Sequence, residues 1–456
     1  MGPVALTPEI LANRIDDLMV QARADLAELV SYPSIHDDPT RAADSRTSAD
    51  WVAQAFAALG FDTEVIVTVD GSPAIVGHRA GPAGSKTVAL YSHHDVQPAG
   101  DESLWDSPPF ELVDRDGRWY GRGSADCKGN LVAHLTALRA IGDELACNVR
   151  IIIEGSEEAG GEGLDDLVRT RPERFDADLI LIGDTGNLAV GIPTLTTSLR
   201  GVVNVKVSVT ALTNGIHSGG AGGPAPDAMA ALIAGLASLR NSQGDTTIDG
   251  LQADQKWTGF DFTTEQFRET VGAVDGAEIL GSGTPADMAW ARPAVTVIGM
   301  DAPSTAECAA AIMPTAAAML NLRVPPGTDP HAAYDLLVTH LRKHIPWGVT
   351  VEFEPDAFGA PFSADTSGPA YQQLIAAMSS AYSESSAYSD LPVQFAGQGG
   401  SIPLCTVLAE TIPHAEIALL GVEEPLSAIH APNESVDPGE IRRTALTEAI
   451  LLSTFR

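Results

Sequence analysis

The chain has 456 residues, of which 44% are hydrophobic, and its 43 glycines and 30 prolines are spread along its length. This length exceeds the usual size of one hydrophobic core and predicts two domains, and the composition is typical of a globular α/β protein rather than a disordered or fibrous one. The formal net charge of -33 argues against nucleic acid and anionic membranes as partners, because both would repel the chain.

Hydropathy and cysteine spacing bear on the compartment. No stretch approaches the roughly 20 apolar residues of a membrane-spanning helix, and the N-terminal stretch lacks the basic and then apolar pattern of a secretory signal. The four cysteines lie far apart without a C-x-x-C spacing, so neither a thiolate zinc site nor a disulfide framework is predicted. We therefore predict a cytoplasmic protein with reduced thiols.

Hydrophobic periodicity in the first part of the chain predicts alternating helices and strands. Apolar residues at spacings of three and four predict one helix from Thr7 to about Tyr32 and another from about Ser45 to Leu59. A further predicted helix, NLVAHLTALRAI, lies among four short apolar runs: TEVIVTV, TVALYS, NVRIIIEG and ADLILIGD. Continuous apolar strands between helices are typical of a mainly parallel sheet covered on both faces, so the predicted fold class is α/β.

The pattern changes after Gly191 and returns to the earlier style from about Phe362. The middle segment predicts, in order, the strand GVVNVKVSVTAL, the helix PDAMAALIAGLASLR, the strands AVTVIGM and AAAMLNLRVP, the helix AAYDLLVTHLRKHI and the strand VTVEFEP. This order is typical of a small α+β layer with an open sheet. We predict a catalytic domain formed by residues 1–196 and 362–456, with residues 197–361 as an inserted lid or dimerisation domain.

Acidic and imidazole side chains follow the predicted strands of the first domain. The strand-end candidates are His93, His94 and Asp95 after TVALYS, Glu157 and Glu158 after RIIIEGS, Asp184 after LILIG, and His430 after IALLGV, with Asp126 in the turn-rich WYGRGSADCKGN. The carboxyl ends of parallel strands share one edge of a sheet, where loops leave room for a ligand. These residues are therefore candidates for a catalytic metal site.

Strand geometry separates the neighbouring candidates. Successive side chains of an extended segment point to opposite faces, so His93 and Asp95 share a side and His94 points away. We predict His93 as a metal ligand, Asp95 as the residue that orients its ring, and His94 as a packed or solvent-facing residue. Glu157 and Glu158 also point apart, so that one can bind metal while the other faces an attacking water; a solvated pair at a helix start remains the alternative.

Seven short motifs resemble those of the di-zinc exopeptidase family that contains carnosinases, cytosolic non-specific dipeptidase, acetylornithine deacetylase and succinyl-diaminopimelate desuccinylase. In chain order they are SHHDVQPAG, GRGSADCKGN, EGSEEAG, IGDTGN, GIHSGGAGG, GGSIP and IHAPNE. The resemblance covers nearly the whole chain. It is strongest to the dipeptidase and carnosinase branch, through HDVQPA and GGSIP.

The resemblance implies two divalent metal ions, by default Zn²⁺, with Mn²⁺ or Co²⁺ as alternatives. Carried over by position, it makes Asp126 the carboxylate that bridges the two ions. His93 and Asp184 then complete the shell of one ion, and Glu158 and His430 that of the other. A bridging carboxylate accounts for the number of acids, because two ions close together can clamp one water.

The resemblance also implies amide hydrolysis and a set of residues that act on the substrate. Glu157 becomes the general base, and Asp95 the residue behind His93. His217 in the inserted domain would stabilise the oxyanion, and in dimeric family members this histidine comes from the partner subunit, which implies a homodimer formed through the inserted domain. Arg323 in LNLRVPP would hold the terminal carboxylate of the substrate. Two residues of GGSIP would assist it, namely Ser401 and Gly400.

Several features leave the substrate open. Gln398 stands where close dipeptidases usually carry an acidic residue, and AAAIMP replaces an N-V-I-P-like turn. The expected substrate is a dipeptide, and the alternative is an N-acyl amino acid cleaved by a deacylase with the same metals. A non-catalytic binding protein would have lost Glu157 or a ligand, and none is missing. Serine hydrolysis and a one-zinc protease are disfavoured, because G-x-S-x-G and H-E-x-x-H are absent from the sequence.

Overall fold

The computed structural model describes residues 6–383 and 391–456. Within these residues the chain forms two compact units. The first comprises the chain up to Thr197 together with Ala364–Ala396 and Pro403–Arg456, and the second comprises Ser198–Ser363 and Gly397–Ile402. The second unit thus includes a segment, Gly397–Ile402, that the predicted boundaries placed in the catalytic domain.

Helices and strands alternate along most of the chain. The helices are α1 (Pro8–Val30), α2 (Ala42–Ala57), α3 (Lys128–Ile141), α4 (Glu162–Thr170), α5 (Ser218–Ala221), α6 (Ala228–Ala237), α7 (Thr264–Thr270), α8 (Pro330–His344), α9 (Pro369–Ser383), α10 (Pro403–Thr411) and α11 (Pro438–Thr454). The first nine strands are β1 (Asp62–Val67), β2 (Pro73–Arg79), β3 (Thr87–His93), β4 (Val113–Arg115), β5 (Arg118–Tyr120), β6 (Asn148–Glu154), β7 (Leu179–Gly183), β8 (Thr194–Leu199) and β9 (Gly201–Thr210). The others are β10 (Ile216–His217), β11 (Ala294–Asp301), β12 (Ala311–Ile312), β13 (Thr315–Val324), β14 (Thr350–Gly359), β15 (Phe362–Ser363), β16 (Gln394–Gln398), β17 (Glu416–Leu420) and β18 (Ser435–Val436). Among the described residues, no helix combines the length and the apolar character that a bilayer span requires.

A mixed sheet with helices forms the first unit. Its strands follow the order β1-β2-β6-β3-β7-β17-β8. The central pairs β6-β3, β3-β7 and β7-β17 are parallel, whereas β1-β2, β2-β6 and β17-β8 are antiparallel. The predicted α/β class is confirmed, and the predicted parallel pairing occurs at the centre of the sheet. β1 and β2 pair in the antiparallel sense because residues 68–72 between them are too few for a parallel crossover.

The central strands of this sheet direct their carboxyl ends to one edge. β3, β6, β7 and β17 all run in the same direction, and their apolar side chains join those of α1, α3 and α11 in one core. They are nearly continuous apolar segments because a parallel strand covered on both faces has no solvent-facing side. Each of the four strands is followed at this edge by one of the acidic or imidazole candidates.

An antiparallel sheet with helices on one face forms the second unit. Its strand order is β11-β13-β9-β14, and α6 and α8 share a core with the inward valines of β9. β9 alternates between buried and partly exposed residues, as the sequence pattern predicts for a strand with one covered face. The predicted order of strand, helix, two strands, helix and strand corresponds to β9, α6, β11, β13, α8 and β14.

Candidate active site

The five candidate metal ligands meet at the carboxyl edge of the first unit's sheet. The Nε2 atom of His93 lies 2.9 Å from Oδ1 of Asp126 and 3.1 Å from Oδ1 of Asp184. The Nε2 atom of His430 lies 2.9 Å from Oδ2 of Asp126 and 3.1 Å from Oε2 of Glu158. The two oxygens of Asp126 therefore face two different histidines, and each histidine has a second carboxylate beside it.

This donor set fits two divalent ions. Tetrahedral metal bonds of about 2.0–2.1 Å place two donors of one ion roughly 3.3 Å apart, close to the nitrogen–oxygen distances within both groups. A carboxylate whose two oxygens face separate groups, as in Asp126, has the arrangement of a bridging ligand. The mixture of imidazole nitrogen and carboxylate oxygen suits zinc and neighbouring first-row metals.

The pKa values of the ligands reflect burial and close ionic partners. Burial raises the pKa of Asp184 to about 6. Hydrogen bonds to Asp126 and Glu158 raise the pKa of His430 to about 10. Burial opposes the charge of Asp126, yet hydrogen bonds from His430 and His93 hold the pKa of this carboxyl well below its usual value. Protons and metal ions therefore compete for the same atoms, and metal binding is expected to release protons.

Asp95 connects His93 to the turn that carries the two glutamates. The Nδ1 atom of His93 lies 3.1 Å from the backbone oxygen of Asp95 and 3.4 Å from its Oδ1, which leaves Nε2 for the carboxylates. Oδ1 and Oδ2 of Asp95 also accept the backbone N–H groups of Glu157 at 3.2 Å and Glu158 at 3.0 Å. Asp95 thus orients the ring through its backbone oxygen and holds the turn through its carboxylate.

His94 points away from this site and packs in the interior. Its Nε2 lies 2.9 Å from the carbonyl oxygen of Pro73, and its Nδ1 lies 3.2 Å from Oγ of Ser48. Burial lowers the pKa of His94 to about 4, so the ring is neutral at physiological pH. Of the two predicted states, packed or facing solvent, the structure shows the packed one.

The side chains of Glu157 and Glu158 point in different directions, as expected for neighbours in the sequence. Oε2 of Glu158 lies 3.1 Å from His430, whereas Oε2 of Glu157 lies 4.0 Å from Nε2 of His93. Burial, assisted by the negative charge of Asp184, raises the pKa of Glu157 well above its usual range. A carboxyl beside the ligands, with raised proton affinity and a partly exposed side chain, has the properties of a general base.

Glu434 positions Asp126, a role that no motif or periodicity in the sequence predicts. Its buried carboxylate accepts the backbone N–H groups of Gly123, Ala125 and Asp126 at 2.9, 3.0 and 3.1 Å. Nη1 of Arg122 donates to it at 2.7 Å. These bonds fix the loop before α3 and direct the Asp126 side chain toward the histidines. Glu434 ends the motif IHAPNE, but its target is 308 residues earlier in the chain, a distance that no local pattern spans.

Two further residues without an assigned role border the ligands. One oxygen of Glu423 lies within 4.8 Å of oxygens of Asp126 and Asp184, and all three residues are buried. Cys127 lies beside His93 and Asp184, and its thiol donates to the carbonyl oxygen of Gly183 at 2.8 Å. Cys127 is therefore a neutral thiol in this arrangement, and burial, together with the negative charges of Asp126 and Asp184, raises the pKa of Glu423 well above its usual range.

An unusual backbone conformation directs His430 at the site. His430, Ala428 and Asn433 have φ values of 59°, 52° and 64°, a region in which non-glycine residues are uncommon and cost of the order of 1–3 kcal/mol each. The side chain of Asn433 holds this loop, because its Oδ1 accepts the N–H of Asp106 at 2.9 Å and its Nδ2 donates to the carbonyl oxygen of Leu104 at 3.1 Å.

The predicted substrate-binding residues belong to the second unit. His217 is exposed at the end of β10, and its Nδ1 accepts the N–H of Gly219 at 3.1 Å. Arg323 is half-buried in β13, where its Nε donates to Oδ1 of Asn321 at 3.2 Å. Gly400 and Ser401 follow β16 in the segment Gly397–Ile402.

A sheet edge that gathers two histidines around one carboxylate, with further carboxylates beside them, is typical of a metal-dependent hydrolase. The chain belongs to peptidase family M20/M25/M40, whose model matches residues 89–453. It is 42% identical over 436 residues to the cysteinylglycine-S-conjugate dipeptidase of Corynebacterium striatum, covering 94% of each chain. It is 30% identical over 360 residues to a Cys-Gly metallodipeptidase of Schizosaccharomyces pombe, covering 74% of this chain and 75% of that one.

Solved structures show the same fold at lower sequence identity. Human carnosine dipeptidase 1 superposes with a TM-score of 0.80 at 23% identity, covering 99% of both chains. The dipeptidase Dug1p of Saccharomyces cerevisiae superposes with a TM-score of 0.78 at 23% identity, covering 98% of both. These structures show the fold, while the family model and the sequence matches confirm the predicted family and the predicted enzyme class, a hydrolase that acts on peptide bonds.

Proposed function

We propose that this chain is a metal-dependent dipeptidase that cleaves the peptide bond of dipeptides with a free terminal carboxylate. The observation that carries the proposal is the placement of Asp126 between His93 and His430, with Glu157 beside them. The two relatives that match most of the chain bear the names of dipeptidases. Their names support a dipeptide rather than an N-acyl amino acid as the substrate.

The proposed cofactors are two divalent ions, by default zinc. His93, Asp126 and Asp184 would hold one ion, and Asp126, Glu158 and His430 the other, because these groups pair at distances suited to shared coordination. Such ions, when bound, supply Lewis-acid polarisation of a carbonyl and a water of lowered pKa. Manganese or cobalt would suit the same donors.

Glu157 is the proposed general base. It takes a proton from the attacking water at a carboxylate oxygen and gives that proton to the nitrogen of the leaving amine. Its raised pKa favours holding the proton between these two events. Asp95 keeps Glu157 in place through the backbone N–H of the turn. The polypeptide therefore supplies both the base and the group that positions it.

The second unit supplies the proposed contacts to the rest of the substrate. His217 donates a hydrogen bond to the oxyanion that develops on the scissile carbonyl. Arg323 binds the terminal carboxylate through its guanidinium fork, with Ser401 and the backbone N–H of Gly400. The half-burial of Arg323 supports this role, since a charged group with reduced hydration gains more from an anionic ligand.

A substrate panel tests the proposed reaction. The protein is loaded with Zn²⁺, Mn²⁺ or Co²⁺ and assayed with Cys-Gly, other dipeptides, and N-acetyl and N-succinyl amino acids. We expect kcat/KM for the best dipeptide to be at least about 100-fold higher than for the best N-acyl amino acid. A site that binds a particular polar group of its substrate rejects analogues that lack this group. Metal analysis should find two ions per chain. Preference for an acylated amino acid would instead identify a deacylase.

The protein is proposed to form a homodimer through its second unit. β11 is an edge strand of the four-stranded sheet, and it exposes Val297, Ile298 and Met300 at 45%, 56% and 44%. An exposed apolar edge is a template for pairing with another chain. Two copies that meet along the same strand in the antiparallel sense would satisfy two-fold symmetry. Light scattering of the wild type and of an Ile298→Lys variant tests this assembly.

Mixing two inactive variants tests whether His217 serves the site of the partner subunit. Glu157→Gln and His217→Ala are each expected to be inactive alone. If His217 acts across the dimer, a fully exchanged equal mixture should recover about a quarter of wild-type activity, because half of the dimers contain one complete site of two. Unmixed samples taken through the same exchange step are the control. If no activity is recovered, His217 acts together with Glu157 of its own chain.

We propose that the protein resides in the cytoplasm. Its four cysteines are free thiols, and Cys127, Cys147 and Cys405 are buried. Unpaired cysteines are typical of compartments that keep thiols reduced. The absence of cysteine pairing among the described residues supports this location.

A further inference from the structure

Two arginines of the second unit lie close together without an acidic partner. Arg200 connects β8 to β9, and Arg323 in β13 pairs in register with Val202 of β9. Neither guanidinium forms an ion pair among the described residues. The chain has 60 acidic residues and only 27 lysines and arginines, so carboxylates are abundant elsewhere. Two neighbouring cations that have no carboxylate partner repel each other unless an anion binds between them.

Arg200 carries donors that lack acceptors. Its Nε and Nη1 atoms are buried and have no hydrogen-bond partner in the described part of the chain. Burial, followed by the positive charge of Arg323, lowers the pKa of Arg200 to about 10, so the group remains protonated at neutral pH. Buried polar groups are nearly always hydrogen-bonded in folded proteins. The guanidinium of Arg200 therefore requires an acceptor that the described protein atoms do not supply.

The Arg200 side chain also lies against the loop formed by Gly397–Ile402. Its Nη2 is 3.0 Å from the point where a Cβ atom would stand at residue 399, so glycine at this position leaves room for it. The backbone N–H of Arg200 donates to the carbonyl oxygen of Gln398 at 3.2 Å. Arg200 thus borders both Arg323 and the loop of Gly400 and Ser401, the elements proposed to bind the substrate carboxylate.

We propose that Arg200 is a further binding residue for the terminal carboxylate of the substrate, acting with Arg323. This inference rests on the proposed dipeptidase function. A carboxylate has two oxygens that accept several hydrogen bonds at once, which matches the donors of two guanidinium forks. Its negative charge also removes the repulsion between the arginines. The preferred substrates are therefore dipeptides with a free carboxylate, and amidated dipeptides are poor substrates.

Kinetics with paired substrates test this role. For Arg200→Ala, we expect KM for a dipeptide to rise about 10- to 100-fold, because a charge-assisted hydrogen bond is lost. The value of kcat/KM for the corresponding dipeptide amide, which lacks the carboxylate, should change less than about threefold. Arg200→Lys keeps the charge but not the fork, and an intermediate loss is expected. Metal content should be unchanged in both variants.

Thermal unfolding separates a ligand-binding role from a structural one. Arg200→Met removes a charge without an acceptor, so the substrate-free protein should unfold at the same or a higher temperature. Arg292→Met is the matched control, because Arg292 is buried in the same unit and donates to the carbonyl oxygen of Gln255 and to Oγ of Ser282, both at 3.0 Å. That variant should unfold at a lower temperature.

Three outcomes would overturn the inference. A large fall in the unfolding temperature of Arg200→Met, with equal losses on dipeptide and dipeptide amide, would make Arg200 a structural residue. An unchanged KM for the dipeptide in Arg200→Ala would show that Arg200 does not bind the substrate, while leaving the dipeptidase function intact. A wild-type enzyme that cleaves no dipeptide would remove the proposed function and this inference together.

Discussion

Replacement of Glu157 by glutamine is expected to lower kcat by about 100- to 10,000-fold, the contribution typical of a general base. Glutamine has nearly the same size as glutamate but cannot accept the proton of the attacking water. Metal content should stay at the wild-type level, because Oε2 of Glu157 lies 4.0 Å from His93 and the five proposed ligands remain. Steady-state kinetics and elemental analysis of the same preparation measure both effects.

Two matched variants make the Glu157 result interpretable. Glu162→Gln changes an exposed glutamate in the first turn of α4, and its activity should remain at the wild-type level. Glu158→Gln removes the carboxylate 3.1 Å from His430, and it should lose metal as well as activity. If Glu157→Gln lost its metal in the same way, Glu157 would be a ligand. Retention of full activity would refute its role as base.

Much of the first unit could be predicted from sequence because its central strands carry a strong local signal. β3, β7 and β17 are short runs of apolar residues, and their shared direction places the loops that follow them at one edge of the sheet. Strand geometry alone also separated His93 from His94. The antiparallel pairing of β2 with β6 could not be inferred, because strand direction depends on connections and not on the residues within the strand.

Helix α11 shows where hydrophobic periodicity fails. Several polar residues of this helix are buried, among them Glu440 and Glu448. Their partners lie far away in the sequence, since Glu440 bonds to Asn187 and Glu448 to His134. A short stretch of sequence does not distinguish a buried glutamate with a distant partner from a glutamate on the surface. For the same reason, the role of Glu434 in positioning Asp126 could not be predicted from the sequence. Arg200 became a candidate only when the structure showed what surrounds it.

The ligand assignments depended on the family resemblance more than on spacing. Asp126 and His430 come from loops, and loops carry no periodic signal that fixes where a side chain points. Asp126 is directed by Glu434, and His430 by its left-handed backbone. A turn residue or a helix cap was an equally good local interpretation of an aspartate in a glycine-rich stretch. The three-dimensional contacts remove this ambiguity for the position of Asp126.

Replacement of Asp126 by asparagine is expected to have the largest effect on the metal centre. Its two oxygens lie 2.9 Å from His93 and 2.9 Å from His430, so both proposed ions would share it. Asparagine keeps the size but removes the charge and offers only one oxygen. We expect fewer than two ions per chain after dialysis and a loss of activity of at least about 1,000-fold, because the carboxylate that would hold both ions is gone.

Thermal unfolding gives an independent measure of the same loss. A ligand that binds only the folded state raises the free energy of unfolding, by about 4 kcal/mol at a thousand times its dissociation constant. Wild-type protein should therefore unfold at a lower temperature after chelation, whereas Asp126→Asn should respond little to zinc or to chelator. Asp50→Asn, at an exposed position of α2, should respond like the wild type. A full zinc response in Asp126→Asn would show that the ions do not depend on this carboxylate.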